Sequence, residues 1–124
     1  MTIEYDEIII KDLHLRTIIG VHEWEKEKAQ NVIVNLRLMT NTRKAGQSDR
    51  IEDTVDYDRL TQRLNDYAES HSFELIETLA EKMAELILTE PYVIKVVLQI
   101  DKPKALRFAQ RVGVKIAREK AKRK

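Results

Sequence analysis

At 124 residues, 43% apolar and 35% charged, the chain has the composition of one soluble globular domain with a single core. Its 22 basic and 21 acidic residues nearly cancel, and it has no cysteine, which excludes disulfides and thiolate metal sites. No apolar run approaches membrane-spanning length.

The first segment, Ile3 to Val21, is rich in β-branched residues such as Ile8, Ile9, Ile10, Thr17, Ile18 and Ile19. It predicts a strand bent near its middle. Its acidic start, "MTIEYDEIII", has the wrong polarity for a signal peptide, so a cytoplasmic protein is expected. A polar loop, "VHEWEKEKAQN", follows. In "VIVNLRLMT", Val32, Val34, Leu36 and Leu38 alternate with Asn35 and Arg37, the pattern of a half-buried strand. "NTRKAGQSDRIEDT" reads as another loop. After it the period becomes helical: Leu60, Leu64, Tyr67 and Ala68 share a face, with Asp56 as N-cap. "SFELIETLAEKMAELIL" is a second helix, with Ser72 as its cap and Glu74 and Glu77 in the positive first turn. Its apolar stripe is Ile76, Leu79, Ala80, Met83, Leu86 and Ile87, and Pro91 ends it.

"YVIKVVLQI" is a strand with Ile94, Val96, Leu98 and Ile100 on one face, and "RVGVKIA" alternates Val112, Val114 and Ile116 with Arg111 and Lys115. The order is ββααββ, an α+β sandwich with two helices on one face of a four-stranded antiparallel sheet. An open sheet this small leaves edges that oligomerisation would cover. With no linker or repeat, one domain is expected over residues 1–118, followed by a basic tail over 119–124. Seven basic residues and one acidic from Arg111 onward give that end +6, leaving −5 for the rest. The tail lacks interleaved aromatics, so a solvated, partly frayed terminus is expected rather than a nucleic-acid site.

Candidate chemistry lies at the ends of elements. His14, His22 and His71 share no metal-binding spacing, so no metal site is expected. Glu25 beside Trp24, Tyr57 at the start of the first helix, Glu77 in the first turn of the second, and Lys102 after an apolar strand are the remaining polar candidates. Each also has a plain structural reading as a solvated loop carboxylate, a packing aromatic, a dipole-pairing glutamate or an edge-strand lysine. Composition alone stops at a soluble α+β domain.

Five segments in order carry more: "LRTIIGV", the Glu25-to-Gln30 spacing in "EKEKAQNVIVNL", "DTVDY", "FELIETLAEKMAE" and "IDKPKALRFA…VGVKI". Together, over about Ile8 to Ile116, the chain resembles the dihydroneopterin aldolase family, which includes dihydroneopterin triphosphate 2′-epimerase. The resemblance implies a T-fold, in which ββααββ subunits join their sheets into a barrel, two rings stack as a homo-octamer, and active sites lie between subunits. It implies a pterin substrate and no cofactor.

Residue by residue, Glu77 matches the glutamate that anchors the pterin ring, taking two parallel hydrogen bonds from N3–H and the 2-amino group. By the same resemblance, Ile76 and Leu75 would supply apolar walls and a backbone contact, and Gly20 and Val21 match positions where backbone lies close to the substrate. Val55 and Tyr57 match residues that reach the site from the neighbouring subunit. Glu25, Tyr57 and Lys102 match the catalytic groups around the substrate side chain. Retro-aldol cleavage between C1′ and C2′ removes the 2′-hydroxyl proton and leaves electrons at C1′, which the ring C6=N5 imine accepts. Neither a Schiff base nor zinc is then needed. Lys102, Tyr57 and water are expected to relay the protons.

"WEKE" and the glycine of "VGVKI" look aldolase-like, whereas "KDLHLRT" and "DKPKALRFA" look like the epimerase branch. There Lys104 and Arg107 could bind a triphosphate, or could be two exposed loop residues. The aldolase is the expected activity, with epimerisation as the alternative. A non-catalytic pterin-binding or oligomerisation module stays open as a different class.

Overall fold

The computed structural model describes residues 5–103 and 105–121. In chain order it contains β1 (Asp6–Ile19), β2 (Gln30–Thr40), α1 (Arg43–Ser48), α2 (Tyr57–Ser70), β3 (Ser72–Phe73), α3 (Ile76–Ile87), β4 (Lys95–Pro103) and β5 (Arg111–Glu119). Tight 3-10 turns lie at Glu23–Lys26 and Ile51–Asp53. The sheet order is β3-β1-β2-β4-β5, with the four long strands antiparallel and β3 parallel to β1.

Alternation in the strands decides which face is covered. Val32, Val34, Leu36 and Leu38 of β2 and Val96, Leu98 and Ile100 of β4 are buried. They meet Leu60, Leu64 and Ala68 of α2 and Leu79, Ala80, Met83 and Ile87 of α3 in one core cluster. Each fully buried Leu or Ile contributes roughly 1.5–3 kcal/mol relative to exposure, so this face dominates the stability. The expected α+β layout therefore holds, with two long helices on one face of the sheet. Asp56 caps α2 through its side chain, which accepts from the Arg59 N–H at 3.1 Å. The bend in β1 is a register shift between Ile10 and Leu13, where Asp12 has a φ of 53° and its N–H donates to Asn35 Oδ1 at 3.0 Å. Asp tolerates this left-handed conformation better than most residues, and the irregularity bends the strand.

Four local readings need correction. Ser72 does not cap the second long helix, because it lies in β3, where it pairs with Ile18 while Phe73 pairs with Ile19. The N-cap is Leu75, in extended conformation, which also puts Glu74 before the helix rather than in its first turn. Phe73 packs against the core, so the chain stays extended for two residues before turning. The segment after β2 is not all loop: α1 forms there and closes on Asp49 at φ 59°. The start of the basic tail is also held. Lys120 N–H donates to Ile94 O at 3.1 Å, and its Nζ to Glu90 O at 2.7 Å. Among the described residues no helix is long and apolar enough to cross a membrane.

Candidate active site

The link between β1 and β2, the start of α3, and the end of β4 surround an open cleft of about 370 Å³. β1 delivers Gly20 to one wall, where its N–H donates to Phe73 O at 2.9 Å. The following 3-10 turn folds back so that Glu25 is 5% exposed. Glu25 N–H donates to His22 O at 3.0 Å, and His22 N–H approaches Glu25 Oε1 at 3.4 Å. β4 contributes Lys102 near its end, paired with Val112 of β5. Its preceding alternate residues Leu98 and Ile100 are locked in the core, which fixes where the lysine emerges. α3 presents Leu75, Ile76 and Glu77 to the cleft from its N-terminal end. There the helix dipole favours the Glu77 carboxylate.

Lys102 Nζ donates to Glu25 Oε2 at 2.6 Å. Both side chains are shielded, 12% and 6% exposed, so the pair is a short charge-assisted hydrogen bond rather than a screened surface contact. The same Oε2 accepts from Gln30 Nε2 at 3.0 Å. Burial pushes the Glu25 carboxyl upward in pKa. The hydrogen bonds from Lys102, Gln30 and the His22 N–H, together with the Lys102 charge, outweigh it and hold the group below the ordinary glutamate value. Glu25 is thus a fixed anion. At the rim, Trp24 is largely exposed and stacks on His22 with a ring separation of 6.2 Å. Lys26 reaches Glu74 at 3.5 Å and Glu23 at 3.9 Å.

Of the residues singled out from the sequence, Gly20, Val21, Glu25, Leu75, Ile76, Glu77 and Lys102 line this one cleft. Val55 and Tyr57 do not. Val55 is buried in the core, while Tyr57 stands 56% exposed at the start of α2. Arg107 is exposed with its guanidinium carbon 5.8 Å from the centre of the Phe108 ring, outside the cleft lining. Lys104 lies outside the described residues. Leu106, part of the stretch that looks like the epimerase branch, adds apolar wall, as does Val112, to which the sequence assigns no site role; nor does it assign one to Gln30, which holds Glu25. The Glu25-to-Gln30 spacing carried that last signal, because five residues suffice to cross one 3-10 turn and return. Among the described residues no group of three His, Asp or Glu is placed to hold a metal ion.

An apolar-walled cleft with a carboxylate at one side and a buried ammonium–carboxylate pair at another suits a flat, polar ring carrying a reactive side chain. The family model described as FolB: Dihydroneopterin aldolase matches residues 8–117. The chain belongs to the dihydroneopterin aldolase family. It is 34% identical over 110 residues to a dihydroneopterin triphosphate 2′-epimerase of Pseudomonas aeruginosa, covering 89% of each protein. It is 31% identical over 113 residues to a dihydroneopterin aldolase of Haemophilus influenzae, covering 91% of this chain and 96% of that one. The crystal structure of Escherichia coli dihydroneopterin aldolase in complex with neopterin superposes with a TM-score of 0.84 at 33% identity, over 91% of this chain and 98% of that one. The α+β fold with its helix-covered sheet is that of the family, the T-fold.

Proposed function

We propose that this protein is a 7,8-dihydroneopterin aldolase of folate biosynthesis that cleaves its substrate to 6-hydroxymethyl-7,8-dihydropterin and glycolaldehyde. The observation that carries the reading is the 2.6 Å Lys102–Glu25 pair set in the same cleft as Glu77. Glu77 takes the pterin N3–H and 2-amino group. Leu75, Ile76 and Val21 flank the ring, and the Gly20 backbone lets it approach. In the reaction the 2′-hydroxyl loses its proton and the C1′–C2′ bond breaks. C2′ leaves as the aldehyde carbon of glycolaldehyde. The electron pair flows from C1′ into the C6=N5 imine, giving an enamine that takes a proton at C1′. Lys102, oriented by Glu25, moves these protons with water and with Tyr57.

Because Tyr57 stands away from the cleft of its own chain and is exposed, a neighbouring copy supplies it in this reading, whereas Val55, 2% exposed in its own core, has no surface to offer a neighbour. The assembly is a homo-octamer. Support comes from β5, an edge strand of the sheet, and from Tyr57 and Phe108, which are 56% and 96% exposed. Light scattering on the purified protein measures the mass, and a monomer would contradict the shared site.

Dihydroneopterin triphosphate 2′-epimerase is the second reading. Ala105 and Leu106 of the "KALRFA" stretch border the cleft, and the Pseudomonas aeruginosa relative carries that name. The deciding experiment incubates the protein with dihydroneopterin and, separately, with its triphosphate. Glycolaldehyde release from the first is expected. Inversion at C2′ of the triphosphate without cleavage of either compound would replace the aldolase reading by the epimerase one. Inertness toward both would remove both.

A further inference from the structure

Gln30 sits at the first position of β2, half-buried beside the cleft. Its side-chain nitrogen donates two hydrogen bonds, one to the main-chain oxygen of Ile19 and one to Glu25 Oε2, each 3.0 Å long. Both partners are acceptors only, so the amino end of the amide must face them and both of its hydrogens are used. One bond holds the last residue of β1, immediately before Gly20 in the cleft wall. The other holds the carboxylate oxygen that also takes the Lys102 ammonium group.

Without Gln30, Glu25 would keep, among the described residues, Lys102 and the long 3.4 Å approach of the His22 N–H. It could then turn about its terminal bond and carry the lysine with it. The ends of the loop 21–29 would also lose one of the bonds between them, while the Thr17–Gln30 strand pairing and the Arg16 Nη2–Ala29 O bond at 3.0 Å would remain. Displacements of about 1 Å in a reacting group cost on the order of 100-fold in rate, so a clamp on the carboxylate is worth more to turnover than to substrate affinity.

We propose that Gln30 is a positioning residue of the acid–base centre, acting through Glu25 to hold Lys102 at a set distance from the Gly20 wall. The proposal rests on the aldolase/epimerase reading of the cleft. Wild-type turnover is therefore measured first on dihydroneopterin and on its triphosphate; inactivity on both overturns that reading and this proposal with it.

The test uses Gln30→Met, which keeps the length and removes the donor, and Gln30→Glu, which keeps the shape and replaces the donor by an acceptor. Both are made alone and combined with Glu25→Gln. On the active substrate kcat is expected to fall roughly 10- to 100-fold in each single variant, while neopterin, followed by fluorescence, binds within about threefold of wild type. In the Glu25→Gln background the same changes should remove less than about threefold more, because two residues acting as one unit are not additive. Turnover within twofold of wild type would overturn the proposal, as would full additivity with Glu25→Gln or a loss confined to neopterin affinity. If neither single variant folds, as judged by circular dichroism, Gln30 is a structural residue and the proposal is wrong.

Discussion

Glu25 occupies the space that a side chain at position 20 would need: a Cβ on Gly20 would lie 2.1 Å from the Glu25 Cδ. Gly20 also has a φ of 140°, a conformation that residues with a Cβ rarely adopt. Two independent reasons therefore require glycine here. Gly20→Ala should cost about 1–3 kcal/mol from the backbone alone and displace Glu25 from Lys102. Thermal unfolding and turnover check this together. Wild-type turnover in Gly20→Ala would show that the carboxylate need not sit where it does.

Lys102 and Glu77 are expected to fail in different ways. Lys102→Ala should lower turnover about 10²–10⁴-fold and leave neopterin binding largely intact. Glu77→Ala should weaken neopterin binding on the order of 10- to 100-fold, since a carboxylate that accepts paired hydrogen bonds is lost. Titration of each purified variant with neopterin, beside a product assay, separates the two roles. Tight neopterin binding by Glu77→Ala would remove it as the anchor.

The same Glu25 links stability to pH. Its native pKa lies below the ordinary value, so the ionised form is favoured by folding. That contribution is complete above the ordinary glutamate range and is lost as pH falls through the lower native value. Asp6, Asp53 and Glu81 are shifted the same way, led by hydrogen bonds from Thr42, Ser48 and Arg118 respectively. Urea unfolding should therefore show wild type more stable than Glu25→Gln at neutral pH, with the gap closing in acid. A gap that stays constant into acid would contradict the assignment.

Across the sheet, Gly113 stands opposite Asp101, and a Cβ there would lie 1.8 Å from Asp101 Oδ1 and 2.8 Å from Ile100 O. Gly113→Ala should destabilise by about 1–3 kcal/mol, the usual range for overpacking. Asp101→Ala in the same chain should recover part of that loss, because the carboxylate clash goes and the main-chain contact stays. Urea midpoints of wild type and of these two variants test this; an unchanged midpoint for Gly113→Ala would refute the close packing.

How far these features could be read without coordinates depends on the range over which each is determined. The alternation of Val32 to Leu38 and the stripe of Leu79, Ala80, Met83 and Ile87 are local patterns, and the structure buries them accordingly. β3 was invisible because two residues cannot show a period. Ser72 and Phe73 become a strand only because β1 lies alongside. The helix cap is therefore Leu75, a residue with no capping side chain. The pairing of Glu25 with Lys102 spans 77 positions, beyond any local pattern, and only the family resemblance brought the two together beforehand. The five-residue spacing from Glu25 to Gln30 is legible in the sequence, but the two acceptors of the Gln30 side chain become visible only in three dimensions.

Lys102 stands at the junction of two regimes. Before it, Val96, Leu98 and Ile100 are held in the core, whereas residues 105–110 beyond Pro103 are exposed to water. Mutational drift after the proline can reshape what borders the cleft mouth, as Ala105 and Leu106 do, without disturbing the packing that aims the ammonium group. The residues that border the cleft mouth and the residues that aim Lys102 thus lie on different stretches of one β-hairpin. A scaffold divided this way can diverge in what it accepts while keeping what it does.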